Sequence, residues 1–265
     1  MGRIFAIMSG KGGVGKSTLA ASLAEYYARA GKTVALLDGD TGLRCADLML
    51  DLQDQVIFDL GDLAEEACDM EQVMVHPAGL PTLSMLAAPQ MMKPSDLKGK
   101  FMGRLITDLS EQTDIVILDA PAGIGRGLKN LLGAAAEPVI VATADDVCVR
   151  DAEKLGALLS EREEPRPSVV VNRVQRNLVR RGLMAAPNTL AASLDMPLEG
   201  VIPESPKVYQ ALLNHQTALR CGDKQVEKAI EILAGRLLGA DVPLPNYAVS
   251  PILRFFNREV KPYAP

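Results

Sequence analysis

There is no tryptophan in this chain, and there are only two histidines and four cysteines. Cys45, Cys68, Cys148 and Cys221 are scattered with no CxxC pair. A disulfide framework, a zinc site or a cysteine-ligated iron–sulfur cluster within one chain is therefore not expected. Buried or unpaired thiols in a reducing cytoplasm are the simpler reading. Positive charge is not in excess either: 28 Lys and Arg against 33 Asp and Glu leave a formal net charge of −5. No global field draws the chain to DNA, although a local patch is compatible with that balance. No apolar stretch approaches the ~20 residues of a membrane span. The short apolar run near the start is broken at once by Lys11, Gly12 and Gly13, so no secretory signal is expected. These absences point to a cytoplasmic protein, or one lying on a membrane surface.

What is present suits a folded core. With 265 residues, 48% of them hydrophobic, the chain is large enough for one sizeable α/β domain. Strand-like apolar runs cover residues 3–8, 33–37, 83–87, 115–118, 138–142, 168–171 and 198–202. Amphipathic helical stretches cover 16–30, 94–110, 125–136, 148–159 and 224–238. Their alternation predicts a mostly parallel sheet flanked by helices on both faces. In such sheets ligands bind at the carboxyl ends of the strands. After Leu238 three prolines, Pro243, Pro245 and Pro251, mark a flexible spacer. The expected organisation is a domain at 1–238, a linker at 239–250 and a short tail at 251–265.

The strongest motif follows the first strand. Gly10-Lys11-Gly12-Gly13-Val14-Gly15-Lys16-Ser17-Thr18 satisfies GxxxxGK[ST] and leads into an amphipathic helix, the context of a phosphate-binding loop. Glycines let the backbone wrap phosphates so that successive N–H groups point inward, and the helix N-terminus adds positive potential. Lys16 can reach the β- and γ-phosphates of ATP, and the Ser17 hydroxyl suits Mg²⁺. Two further strands end in acids, at Asp38-Gly39-Asp40 and at Asp119. An Asp at the end of a buried strand beside such a loop is the expected partner of the Mg²⁺ shell.

Lys11 is unusual, because one lysine suffices for the phosphates of one subunit. A second lysine at the start of the loop can instead cross to another molecule and stabilise charge on its ATP, as an arginine finger does. With this extra lysine, KGGVGKST resembles the deviant Walker A ATPases, the P-loop family of MinD and ParA, and most of all its MinD branch. Asp38 to Arg44, with its Gly-Leu-Arg, resembles the first switch of that branch, although Cys45-Ala46 departs from the usual Asn and aliphatic residue. Asp119-Ala120-Pro121-Ala122-Gly123-Ile124 resembles the second switch. Val149-Arg150-Asp151-Ala152, Val170-Val171-Asn172-Arg173-Val174 and Gly200-Val201-Ile202-Pro203-Glu204 follow in the family's order.

The resemblance implies a role for each matching residue. Lys11 would touch ATP across a sandwich homodimer, and Asp40 would orient the attacking water. Asp38 and Asp119 would support Mg²⁺. Asn172, beside Arg173, would read the adenine edge, with Pro203 lining the base pocket. The helix from Arg150 to Leu159 would meet MinC-like or MinE-like partners. The implied activity is slow, partner-stimulated ATP hydrolysis that positions a division site; flagellar-number control or ParA-like cargo or DNA positioning are the alternatives. DNA binding itself is not expected, because no basic tail or helix of the ParA kind is present.

The tail carries a reading of its own. Ser250-Pro251 is a plausible helix start. At 100° per residue, Ile252, Leu253, Phe255, Phe256 and Val260 share an arc of about 160°. Arg254, Asn257, Arg258 and Lys261 lie opposite, the build of an interfacial helix on an anionic membrane surface. One such tail gains little after its ordering cost, whereas two held in an ATP-bound dimer gain through effective concentration. Nucleotide-dependent attachment to the inner face of the cell membrane is the expectation.

Overall fold

Strands buried on both faces need no polar–apolar alternation, and those of this chain have none. β1 (Arg3–Met8), β2 (Val34–Asp38), β5 (Ile115–Asp119), β6 (Glu137–Ala142) and β7 (Ser168–Val174) are nearly continuous apolar runs. With β3 (Met74–Val75), β4 (Leu83–Leu86) and β8 (Leu198–Pro203) they form one sheet in the order β3-β4-β2-β5-β1-β6-β7-β8. Every pairing is parallel except that of β3 with β4. The computed structural model describes residues 1–41, 44–90, 97–131, 136–160 and 165–247.

α1 (Lys16–Arg29) carries the chain from β1 past β5 to β2. The next connection reaches β4 through α2 (Ala46–Met49), α3 (Leu60–Ala64), α4 (Met70–Val73) and β3. α5 (Gly99–Gln112) and α6 (Arg126–Leu131) turn the other way, through β5 and across β1 to β6. α7 (Asp146–Ser160) leads on to β7. α8 (Arg176–Arg180) and α9 (Pro187–Ser193) then lead to β8. Right-handed crossovers running in opposite directions along a sheet put their helices on opposite faces, as expected from the sequence. α10 (Pro206–Leu213) and α11 (Lys224–Leu237) close the fold, with the Tyr27 hydroxyl of α1 donating to Ala234 O of α11 at 2.9 Å. Reversal of direction beside β1 makes its carboxyl end the topological switch point, the usual ligand position.

Several boundaries differ from the sequence reading. The helix expected at 94–110 starts at Gly99 and runs to Gln112; residues 91–96 lie outside the described set. α7 begins two residues early, because Asp145 accepts from Cys148 N at 3.0 Å and caps it. β7 does not stop at Val171: Asn172 and Arg173 lie inside it, at an irregularity where Val174 pairs with Pro203. Of the expected spacer, residues 239–247 are described. Arg236 holds this stretch by donating to Val242 O at 2.9 Å, and also donates to Glu199 O and Leu198 O of β8. The tail with Ile252, Leu253, Phe255 and Phe256 lies outside the described residues.

Candidate nucleotide site

The loop between β1 and α1 is anchored before any ligand is considered. Ser9 is buried; its hydroxyl donates to Lys11 O at 2.9 Å and its carbonyl accepts from Gly123 N at 2.9 Å. Asn172 reaches over from β7 and donates through Nδ2 to Val14 O at 2.7 Å. Gly15 makes that reach possible. Its φ is +92°, and a Cβ there would lie 2.3 Å from Asn172 Nδ2, so any side chain would dislodge the amide.

Behind the loop stands a buried charge cluster. Asp38 and Asp119 are register partners at the ends of β2 and β5, both fully buried. Lys16, itself 6% exposed, places Nζ 2.5 Å from Asp119 Oδ1, 3.3 Å from Ser17 Oγ and 4.0 Å from Asp40 Oδ2. Asp38 accepts from Asp40 N at 2.9 Å and Ala46 N at 3.2 Å. Burial, then the neighbouring Asp119 charge, pushes its pKa up to about 7 against these hydrogen bonds and Lys16. Asp40 is raised too, first by burial and also by Asp119, while Lys16 pulls it down. Lys16, Ser17, Asp38, Asp40 and Asp119 thus lie together at the carboxyl ends of the central strands.

This cluster fits Mg²⁺. Asp119 Oδ2 is buried without a hydrogen-bond partner among the described residues, a costly state that a metal's water shell would relieve. The donors around it, hydroxyl and carboxylate oxygens, are those Mg²⁺ prefers. No group of three or more His, Cys, Asp or Glu among the described residues could hold a metal by itself, so phosphate oxygens and water would supply the remaining ligands.

On the other side of the loop a cleft opens, lined by Gly15, Thr18, Asn172, Arg173, Pro203 and Tyr209 among others. It gathers the residues expected at the base. Asn172 is more committed than foreseen: its Oδ1 accepts from Arg173 N at 2.9 Å while Nδ2 holds the loop. One N–H and one lone pair of the amide remain for a ligand. Arg173 sits at φ +55° with Nε 3.9 Å from Glu204. Sequence reasoning missed Val208, Tyr209 and Leu212 of α10 in this wall. The signal was present in Ser205-Pro206, an N-cap followed by proline at the first helical turn.

Lys11 stays out of the cluster. Its ammonium is half exposed and 3.8 Å from Asp145 Oδ1, at the start of α7. Burial raises the Asp145 carboxyl, but bonds from Thr143 and Cys148 N together with Lys11 hold it below the ordinary value. Gly10 packs directly on this helix, since a Cβ there would stand 2.6 Å from Asp151 O. α7 buries Cys148, Ala152, Leu155 and Leu159 and leaves Val147, Arg150, Glu153 and Lys154 exposed. The helix from Arg150 to Leu159 therefore presents an exposed polar face with Arg150, Glu153 and Lys154.

Known proteins resemble this chain over most of its length. Residues 5–218 match the CobQ/CobB/MinD/ParA nucleotide binding domain. The septum site-determining protein MinD of Synechocystis sp. is 33% identical over 248 residues, 93% of each chain. That of Bacillus subtilis is 34% identical over 248 residues, 92% of each. Among solved structures, Aquifex aeolicus MinD in a MinC:MinD cell division protein complex superposes with a TM-score of 0.82 at 29% identity, covering 92% of this chain and 99% of that one. Pyrococcus horikoshii MinD complexed with Mg-ADP gives 0.78 at 25% identity, covering 91% and 100%. With its phosphate loop and buried lysine–aspartate cluster at the carboxyl ends of the central strands β1, β2 and β5, the chain belongs to the MinD/ParA family of nucleotide-binding P-loop ATPases.

Proposed function

We propose that this protein is a MinD-like switch in septum-site determination, hydrolysing ATP to ADP and phosphate and pairing with a second copy of itself when ATP is bound. The position of Lys11 carries this reading. Lys16 alone serves the cluster of its own chain, while Lys11 stands half exposed at the rim beside α7, where a facing subunit can receive it.

Each group then has a task. The γ- and β-phosphates compete with Asp119 for the Lys16 ammonium, and backbone N–H groups of Gly12, Gly13, Val14, Gly15, Lys16, Ser17 and Thr18 wrap them. Bound Mg²⁺ would neutralise phosphate charge, held by Ser17 with Asp38 and Asp119 behind it. Asp40, near Lys16 but partly open to solvent, holds the attacking water. Asn172, Arg173 and Pro203 enclose the adenine. Lys11 of the opposite copy stabilises charge as water attacks the γ-phosphate and the bond to the leaving ADP breaks. Mg-ADP in the Pyrococcus horikoshii protein and the MinC:MinD complex of Aquifex aeolicus support these ligands and a MinC-like partner, for which the exposed face of α7 is the proposed seat. A MinE-like partner on the same helix would stimulate hydrolysis. Attachment through Ile252, Leu253, Phe255 and Phe256 follows from pairing two tails, with the protein cytoplasmic otherwise.

ATP turnover with and without anionic vesicles, for wild type and Lys11→Ala, tests the proposal. The expected result is turnover that vesicles raise in the wild type and not in the variant. Equal stimulation of both would sink the cross-subunit role.

A further inference from the structure

The acidic chain has one face of the opposite sign. From Arg173 to Leu194 there is no Asp or Glu, while Arg173, Arg176, Arg180 and Arg181 fall within nine residues. Val179 is fully buried and fixes the rotation of α8, so that Arg176 and Arg180, one turn apart, are exposed on the same side. The helix then ends on Gly182 at φ +71°, with Leu183 N donating back to Leu178 O at 2.9 Å and Gly182 N to Val179 O at 3.0 Å. This closure holds Leu183 outward beside the arginines, 56% exposed. Arg176 also shares a cleft with Lys224, Lys228, Pro245 and Tyr247. Lys228 is paired with Glu231 at 2.9 Å, but among the described residues no ion pair holds Arg176, Arg180 or Lys224. Tyr247, in this cleft, is the last described residue before the segment read from the sequence as a tail.

We infer that the outer face of α8, with Arg176, Arg180 and Leu183 and with Lys224 across the cleft, is a binding surface for the phosphate headgroups of anionic lipid. It rests on the membrane attachment proposed above and adds a contact made by the globular domain itself. Guanidinium groups pair with phosphate oxygens in a planar fork, and an exposed leucine among them suits the headgroup boundary. Nucleic acid shares the phosphate chemistry, but Leu183 and the adjoining tail favour a lipid surface. The tail supplies apolar insertion, and α8 supplies charge.

The test is ATP-dependent sedimentation of the full chain with vesicles of phosphatidylcholine containing increasing phosphatidylglycerol, alongside a duplex DNA shift at matched salt. Each arginine near the surface is expected to contribute about fivefold in affinity, so Arg176→Gln/Arg180→Gln should lose about 25-fold on phosphatidylglycerol vesicles with basal ATP turnover unchanged. The loss should vanish at high salt. Undiminished vesicle binding by this variant, with loss in Phe255→Glu/Phe256→Glu, overturns the α8 surface and leaves the tail standing. Loss in the arginine variant alone keeps the surface and removes the tail. Vesicle binding by none of the proteins overturns both, and an arginine-dependent DNA shift without an effect on vesicles reassigns the face to nucleic acid.

Discussion

Substituting Gly15 by alanine tests how the phosphate loop is held. Two costs follow from the geometry. A side chain at φ +92° costs about 1–2 kcal/mol of backbone strain. Its Cβ would also lie 2.3 Å from Asn172 Nδ2, driving the amide off Val14 O and removing a 2.7 Å bond with a net contribution of about 1 kcal/mol. Gly15→Ala should therefore destabilise the nucleotide-free protein by roughly 2–3 kcal/mol. In an Asn172→Ala background the space is open and the bond already gone, so only the backbone part remains. The stiffer unfolded chain that alanine brings is common to both backgrounds and cancels. Urea denaturation of the four proteins should show a coupling of about 1 kcal/mol, whereas neighbours that do not touch add to within about 0.3–0.5 kcal/mol. Additivity at that level would refute the close approach of Asn172 to the loop, and with it the idea that the base side and phosphate side are mechanically joined.

Two other substitutions probe the elements behind the cleft. Asp223 caps α11 by accepting from Gln225 N at 3.0 Å, and accepts from Ser205 Oγ at 2.7 Å; Asp223→Ala should cost about 1–2 kcal/mol near neutral pH. The Ser205 bond, then that of Gln225 N, holds this carboxyl below its ordinary 3.8. Its contribution is therefore present above that value and lost as pH falls through the lowered one. Urea midpoints should differ between variant and wild type at pH 7 and converge in acid; a constant gap would contradict the assignment. Arg236→Ala removes donors to Leu198 O, Glu199 O and Val242 O and should cost about 2–3 kcal/mol. Hydrogen exchange should then rise across residues 239–247, and unchanged protection there would mean that the stretch is held by other contacts.

The phosphate loop was legible because its chemistry needs a fixed spacing of glycines, lysine and hydroxyl. Asp38 and Asp119 were legible because two apolar strands both end in a carboxylate in a chain with a phosphate loop, where one such Asp alone would read as a cap or turn former; their register pairing follows from the sheet order. Lys11 was visible as a lysine without a task in its own subunit. The continuation of β7 through Asn172 was not, since the bulge that turns Arg173 to φ +55° leaves no periodic trace. Between residues 46 and 75 the helices are too short to show an apolar period and were not read from the sequence; Asp59 with Asp62 and Asp69 with Gln72 close capping boxes there. β3 has two residues and no signal. Ser205-Pro206 marks the start of α10, but that Tyr209 of this helix lines the cleft depends on tertiary packing that the cap does not encode.

The central claim is that one chain holds only part of its ATP site and that Lys11 completes the site of another. Sedimentation equilibrium of wild type and Lys11→Ala, each with ADP or with ATP under non-hydrolysing conditions, tests it directly. The expected result is a single-chain mass of 28.3 kDa for wild type with ADP, twice that with ATP, and a single-chain mass for Lys11→Ala in both. A Lys11→Ala protein that doubles its mass with ATP as the wild type does would contradict it.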